Sequence, residues 1–310
     1  MDDVLDHLLS GDPAIRWQVL RDLTDARPED VAAERAKVAV EGWGARLLAL
    51  QAEDGLWDGG TYRPGWADED RPMFDAWTAT HFSLQQLVDF GVDPDSPAAR
   101  VAVERVRVHV RWEHAGEPYF DGEVEPCING VALSVAAYFG QDGHRLIDTL
   151  LAGQLADGGW NCWDDADVSS LHSTICALEG LRDADAATGD DRIPEACRRA
   201  EEYLLARRLL WRRGDGGLID PRFGMLSYPV RWFYDVLRAL DHFRLVNRRD
   251  PRLADAVALL RAKRLPNGLW PLENTHEGPT LFAMEREFEG FPSRWVTLRA
   301  LRVLRWCDAS

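Results

Sequence analysis

Apolar residues recur along this chain at helical rather than strand spacing. Ile15, Val19, Leu20 and Leu23 follow Asp12-Pro13-Ala14, which puts a proline just inside a helix start. Alternating runs of β-branched residues between turns are missing, apart from an ambiguous valine-rich stretch at 101–110. The pattern predicts a mainly α chain. Within it one motif returns. Leu47-Leu48-Ala49-Leu50-Gln51 runs into Asp54-Gly55-Leu56-Trp57, and Leu150-Leu151-Ala152-Gly153-Gln154 into Asp157-Gly158-Gly159-Trp160. Looser copies run from Leu204 to Leu218 and from Leu259 to Trp270, and a degenerate one from Val106 to Phe120. In the clear copies an Asp-Gly or Asn-Gly pair makes the turn that ends the helix, and Trp packs that turn on a neighbour.

A second, more apolar helix is expected after each turn, at 75–90, 127–139, 170–181, 231–245 and 293–306. Val131, Val135 and Phe139, or Leu298, Leu301 and Leu304, leave little polar face. Helices apolar on most faces belong inside, so each repeat reads as an outer helix followed by an inner one. Polar stretches at 61–72, 182–194 and 272–292 are expected to be loops between repeats. No domain boundary is legible, and residues 1–310 read as one domain.

The spacing Leu-x-x-x-Gln-x-x-x-Gly-x-Trp at 47–57 and 150–160 resembles the glutamine–tryptophan repeat of squalene and other class II terpene cyclases. It is similar also to the Gly-Gly-aromatic repeat of protein prenyltransferase β subunits. The resemblance covers roughly residues 40–310. It implies an all-α fold, an α/α toroid of five or six helix pairs around a hydrophobic, aromatic-lined cavity. Such a fold hosts several chemistries and does not choose among them.

Composition narrows the partners. The chain has 310 residues, is 46% hydrophobic and carries 13 Trp, enough for a large core. No apolar run approaches the ~18 residues that span a membrane. Met1-Asp2-Asp3 lacks the basic-then-apolar layout of a signal peptide, so a cytoplasmic location is expected. A net charge of −16 argues against nucleic acid and anionic membrane surfaces as partners. Five cysteines, an odd number in a long chain without an export signal, argue against a disulfide framework.

Residues 125–174 concentrate the chemistry. Cys127, Cys162 and His172 fall at turns or helix starts, where side chains converge, and thiolate and imidazole are the usual zinc ligands. The competing reading makes the thiols core residues and His172 a helix cap. In the prenyltransferases an Asp-x-Cys pair opens one inner helix and a His opens a later one, together holding catalytic zinc. Glu125-Pro126-Cys127 resembles the first element and His172-Ser173-Thr174 the second, with Glu in place of Asp. The resemblance implies zinc on Cys127, Cys162 and His172, with Glu125 as a further ligand or a base. Cys162 has no counterpart in that motif. Lanthionine cyclases also place two Cys and one His on zinc, but their close Cys-His pairing is missing, so that match is one of composition.

By the same resemblance the substrate is isoprenoid-like or thiol-containing, and the prenyltransferases work with a separate α subunit. Class II cyclases protonate with Asp-x-Asp-Asp, which this chain lacks. Asp164-Asp165-Ala166-Asp167 approaches the diphosphate-binding motif of class I synthases without matching it, and reads rather as an acidic helix lead-in. Trp77, Trp163, Trp232, Tyr234 and Trp295 lie at or near inner-helix starts and are candidates for the cavity lining, against ordinary packing. Arg231 and Arg294 precede Trp232 and Trp295 and are candidates for an anionic group, against salt bridges to acidic loops. Asp75, Thr78 and Asp235 are weaker candidates. The expectation is a zinc-dependent transferase or cyclase/lyase. The alternatives are a squalene-type cyclase relative with a substituted acid, and a non-enzymatic toroid that binds a lipid or protein.

Overall fold

The computed structural model describes residues 2–68, 76–163, 165–284 and 289–309. The candidates Asp75 and Asp164 lie outside them. Among the described residues the chain is all-α, a succession of paired helices. The helices are α1 Asp2–Leu9, α2 Pro13–Leu23, α3 Pro28–Lys37, α4 Gly42–Ala49, α5 Thr80–Phe90, α6 Pro97–His109, α7 Pro126–Tyr138, α8 His144–Ala152, α9 Leu171–Thr188, α10 Ile193–Leu205, α11 Val236–Leu245, α12 Ala254–Ala262 and α13 Arg294–Asp308. Among the described residues β-structure is limited to isolated bridges, such as Trp57 with Gly60 and Trp160 with Ser170.

The expected pairing of a lean helix with a richly buried one is present. α7 buries most of its length, from Cys127 through Ala136, whereas α8 buries only Leu146, Ile147 and Leu150. The ambiguous 101–110 stretch is helix as far as His109, started by Ser96, whose side chain accepts from the Ala99 amide. The stretch 182–194 is mostly helix rather than loop. α9 continues through its alanines to Thr188 and stops where Gly189 turns left-handed at φ 65°. The stretch 231–235 is not helical. Arg231 has φ 53°, and α11 begins only after Asp235, which caps the Arg238 amide.

The repeat motif has a specific physical task. Each of Trp57, Trp160 and Trp270 is fully buried. Their indole N–H groups donate at 2.7 Å to the carbonyls of Leu47, Leu150 and Leu260, ten residues earlier, which closes the end of the lean helix. Their own amides donate to Thr80, Thr174 and Thr297 at the start of the following buried helix. Gln51 and Gln154 donate both to their own turn and to the Ala102 or Ala196 carbonyl of the next lean helix. The motif is therefore a connector, tying one turn to the two helices that follow it.

The sequence reads as one domain, and the contacts of the folded chain group into two compact units. One comprises Met1–Val38, Leu204–His276 and Ala283–Ser310, the other Ala39–Tyr203 and Glu277–Phe282. Cys127, Cys162 and His172 all belong to the second. Within it α7 and α9 are packed backbone to backbone. A Cβ built on Gly130 would lie 2.3 Å from the Cys176 carbonyl oxygen, and one on Gly180 2.2 Å from the Gly130 oxygen. This contact fixes the spacing of the two helix starts where the chemistry candidates sit.

Candidate metal centre

The chain enters α7 through a locked turn. Gly122, at φ 107°, leaves room for the Asn129 side chain, which accepts from the Glu123 amide at 2.7 Å and donates to the Glu123 carbonyl at 2.5 Å. Glu125 then takes the N-cap position, and Pro126 opens the helix with φ suited to its first turn. The Glu125 carboxylate makes no capping bond. It reaches instead to Cys127, whose Sγ donates to Oε2 at 3.4 Å.

Cys162 arrives from the loop after the Trp160 turn. The loop is closed by the Ser170 amide donating to the Trp160 carbonyl at 2.8 Å, and braced by Asn161 Nδ2 donating to the Val168 carbonyl at 2.8 Å. Its Sγ lies 2.9 Å from Cys127 Sγ and 3.1 Å from Ser173 Oγ of α9. Glu125, Cys127 and Cys162 offer three ligand atoms within 4.8 Å of one another.

His172 is not part of this group. It stands half-buried at the second position of α9, whereas Ser173 is buried and meets Cys162. Ser173, not His172, is the α9 residue that meets Cys162, and His172 is not among the ligand atoms gathered there. Glu125 takes the third place. Choosing between His172 and Ser173 needs the rotational phase of α9, which the sequence does not resolve.

The electrostatics are those of a coupled thiol pair. Contact with Cys127 lowers the Cys162 thiol below its ordinary range, against the opposing effect of burial. Cys127 moves well up, through its contact with Cys162 and then through burial. The two thiols therefore titrate as one coupled pair. Tyr62 lies within the field of this group. Burial pushes its phenol well up, and the charges of Cys127, Glu125, Cys176 and Cys162 push it further, so it stays a neutral hydroxyl. Its backbone is held by the Glu113 carboxylate, which accepts from the Thr61 amide at 2.7 Å and the Tyr62 amide at 2.9 Å. Neither Tyr62 nor Ser173 stands out in the sequence, because each reaches the site through tertiary packing.

The donor set fits zinc. Two thiolates and one carboxylate suit a borderline-soft divalent ion, and three protein ligands leave a fourth position open. In a tetrahedral site with Zn–S near 2.3 Å the sulfurs stand about 3.7 Å apart, so the pair needs to spread by less than ~1 Å. A cation there also relieves the cost of ionising both thiols side by side.

The remaining candidates are placed otherwise. Trp77, in the same unit, is buried edge-on against Phe82, and its indole donates to the Glu277 carbonyl at 3.1 Å. Trp163, directly after Cys162, is 77% exposed. Arg231, Trp232, Tyr234, Arg294 and Trp295 belong to the other unit. There Arg294 donates to the His7 carbonyl and to Ser10, tying α13 to α1. Tyr234 donates to the Leu209 carbonyl at 2.7 Å, Trp295 stacks on Tyr228, and Trp232 stacks on Phe233. Arg231 is buried.

No family model and no curated protein matches the sequence. Among solved structures the chain is similar to the apo type II terpene cyclase MstE from Scytonema, at 19% identity and a TM-score of 0.46, covering 94% of this chain and 85% of that one. A variant of that enzyme in complex with geranylgeranyl dihydroxybenzoate gives 18% and 0.45, covering 95% and 86%. One in complex with merosterolic acid A gives 18% and 0.44, covering 96% and 87%. No helix among the described residues is long and apolar enough to cross a membrane.

Proposed function

We propose that this chain is a zinc-dependent enzyme whose metal is held by Glu125, Cys127 and Cys162 and whose substrate is apolar or carries a thiol. The observation behind the reading is the meeting of two thiols and a carboxylate, brought together from the start of α7 and the loop after Trp160, within 4.8 Å. Bound zinc would supply Lewis acidity to a substrate thiol, oxygen or water in the open position.

The chain's own residues have separate roles. Cys127 sits at the first turn of α7, where the helix N-terminus favours negative charge. Cys162 has Ser173 Oγ at 3.1 Å, placed to donate to its sulfur once the thiol is ionised. Glu125, unused as a cap, is free to ligate or to accept a proton from Cys127. Tyr62 remains a neutral donor beside these charges. Val124 before Glu125, and Trp163 and Val168 around the Cys162 loop, stay 61%, 77% and 66% exposed. Apolar side chains left in water on both segments that flank a site favour an apolar substrate.

Cobalt(II) titration tests the reading. Thiolate-to-cobalt charge transfer and tetrahedral d–d bands are expected at one equivalent, and both should vanish in Cys162→Ser. Octahedral cobalt spectra without charge transfer count against it.

A further inference from the structure

We infer that Cys127 and Cys162 are an oxidation site, closing to a reversible disulfide when a hydroperoxide reaches Cys162. The inference shares its thiols with the proposed zinc centre, but the disulfide itself needs no metal.

Geometry carries it. The two sulfurs are 2.9 Å apart. A disulfide bond is about 2.05 Å, so the two sulfurs need to close by less than ~1 Å. The thiols come from independent elements, the first turn of α7 and the Trp160–Ser170 loop. The bond therefore joins a loop to the start of α7 rather than two positions of one helix. The two cysteines also differ in access. Cys127 is buried at 5% exposure, while Cys162 is half-buried in a loop whose next residue, Trp163, stands in solvent. Cys162 is thus the thiol a small oxidant meets, and Cys127 the partner behind it.

The step balances with a hydroperoxide as oxidant. The Cys162 thiolate attacks the terminal peroxide oxygen, and the O–O bond breaks. The alcohol leaves after taking a proton, and Cys162 becomes a sulfenic acid. Cys127 Sγ then attacks the Cys162 sulfur, the S–O bond breaks and the S–S bond forms. The Cys127 proton passes to Glu125, its acceptor at 3.4 Å, and leaves with the hydroxide as water. Two thiols lose two electrons, and the peroxide is reduced to alcohol and water. Ser173 Oγ, 3.1 Å from Cys162 Sγ, can donate to the sulfur at each stage. Since the same sulfurs would ligate zinc, bound metal should protect the pair, and oxidation should expel the metal.

The test uses the full chain, stripped of metal by a chelator, with one equivalent of hydrogen peroxide. Titratable thiols should fall from five by two. The intact mass should drop by two hydrogens, and a digest should show residues 127 and 162 linked. Dithiothreitol should restore all five thiols. Cys162→Ser should show no linked peptide, and so should Cys127→Ser. With zinc bound, thiol loss should slow at least ~10-fold, with one zinc released per disulfide formed. Retention of all five thiols, or a link from Cys127 to Cys176, overturns the inference. A chain that forms the 127–162 link yet binds no zinc upholds this inference and removes the metal reading. A chain that binds zinc yet keeps five thiols when stripped and oxidised does the reverse.

Discussion

Gly130→Ala is the substitution that most sharply links the packing to the site. In an isolated helix it should stabilise by ~1 kcal/mol, because alanine is the better helix former. Here the added Cβ would stand 2.3 Å from the Cys176 carbonyl oxygen and 2.6 Å from the Ala177 amide. Ordinary contact begins at 3.4 Å, so α7 and α9 must part by about 1 Å. Both obstacles are backbone, and no flexible side chain can give way. Overpacking of this kind costs ~1–3 kcal/mol, and a rigid obstacle puts it at the upper end. After the helix-propensity gain the net loss is ~2 kcal/mol, or ~4–8 °C in Tm for a unit of this size. The same parting moves Cys127, one turn before Gly130, away from the α9 side of the site. Disturbing the support of a metal ligand typically costs ~10–100-fold in affinity, so affinity for the proposed metal should fall at least ~10-fold. Thermal unfolding followed by circular dichroism, with a competitive metal titration, reads both effects. Gly214→Ala is the control, since nothing lies within 4 Å of its Cβ and its φ is ordinary. Unchanged metal affinity, or a rise in Tm for Gly130→Ala, would refute the reasoning.

The other expectations concern the repeat and a buried imidazole. Trp160→Phe strands the Leu150 carbonyl and should cost ~2 kcal/mol in chemical denaturation, with Trp57→Phe and Trp270→Phe within ~1 kcal/mol of it, because the three bonds are alike; widely differing costs would mean the copies are not equivalent connectors. Burial lowers the fully buried His81 from 6.5 to about 3 while its Nδ1 meets the Tyr119 hydroxyl at 3.0 Å. A depressed folded pKa means the stabilisation is present above pH 6.5 and is lost as pH falls toward about 3, at up to ~1.4 kcal/mol per pH unit. His81→Gln should flatten that slope in acid unfolding curves, and an unchanged slope would assign it to other groups.

The sequence made the helix pairs legible because the connector repeats. Leu, Gln, Gly and Trp each make the same contact in more than one copy, so the spacing carries the geometry. Termini without that repetition were harder to place. The acid-rich end of α9 looked like a loop, since alternating Asp and Ala near a glycine fits either state until Gly189 is seen to end the helix. At the site, Glu125 and Cys127 were legible together because two residues apart across a helix cap keeps them neighbours. Cys162 was legible from its place after a repeat turn. His172 stands out in the sequence as an imidazole at a helix start, but residue type and position say nothing about which way a helix is rotated. The aromatic and arginine candidates marked helix starts, and their contacts depend on the neighbours those starts meet. Arg294 spends its guanidinium on α1, and Tyr234 its hydroxyl on Leu209.

The proposed zinc centre is tested most directly by the metal content of protein purified without chelator. One zinc per chain is expected, lost in Cys127→Ser and in Cys162→Ser and weakened in Glu125→Gln. It should be retained in Cys197→Ala and Cys307→Ala, and also in His172→Ala, whose side chain lies outside the three-ligand group. Absence of stoichiometric zinc from the unaltered chain, or its persistence in Cys127→Ser and Cys162→Ser alike, contradicts the account.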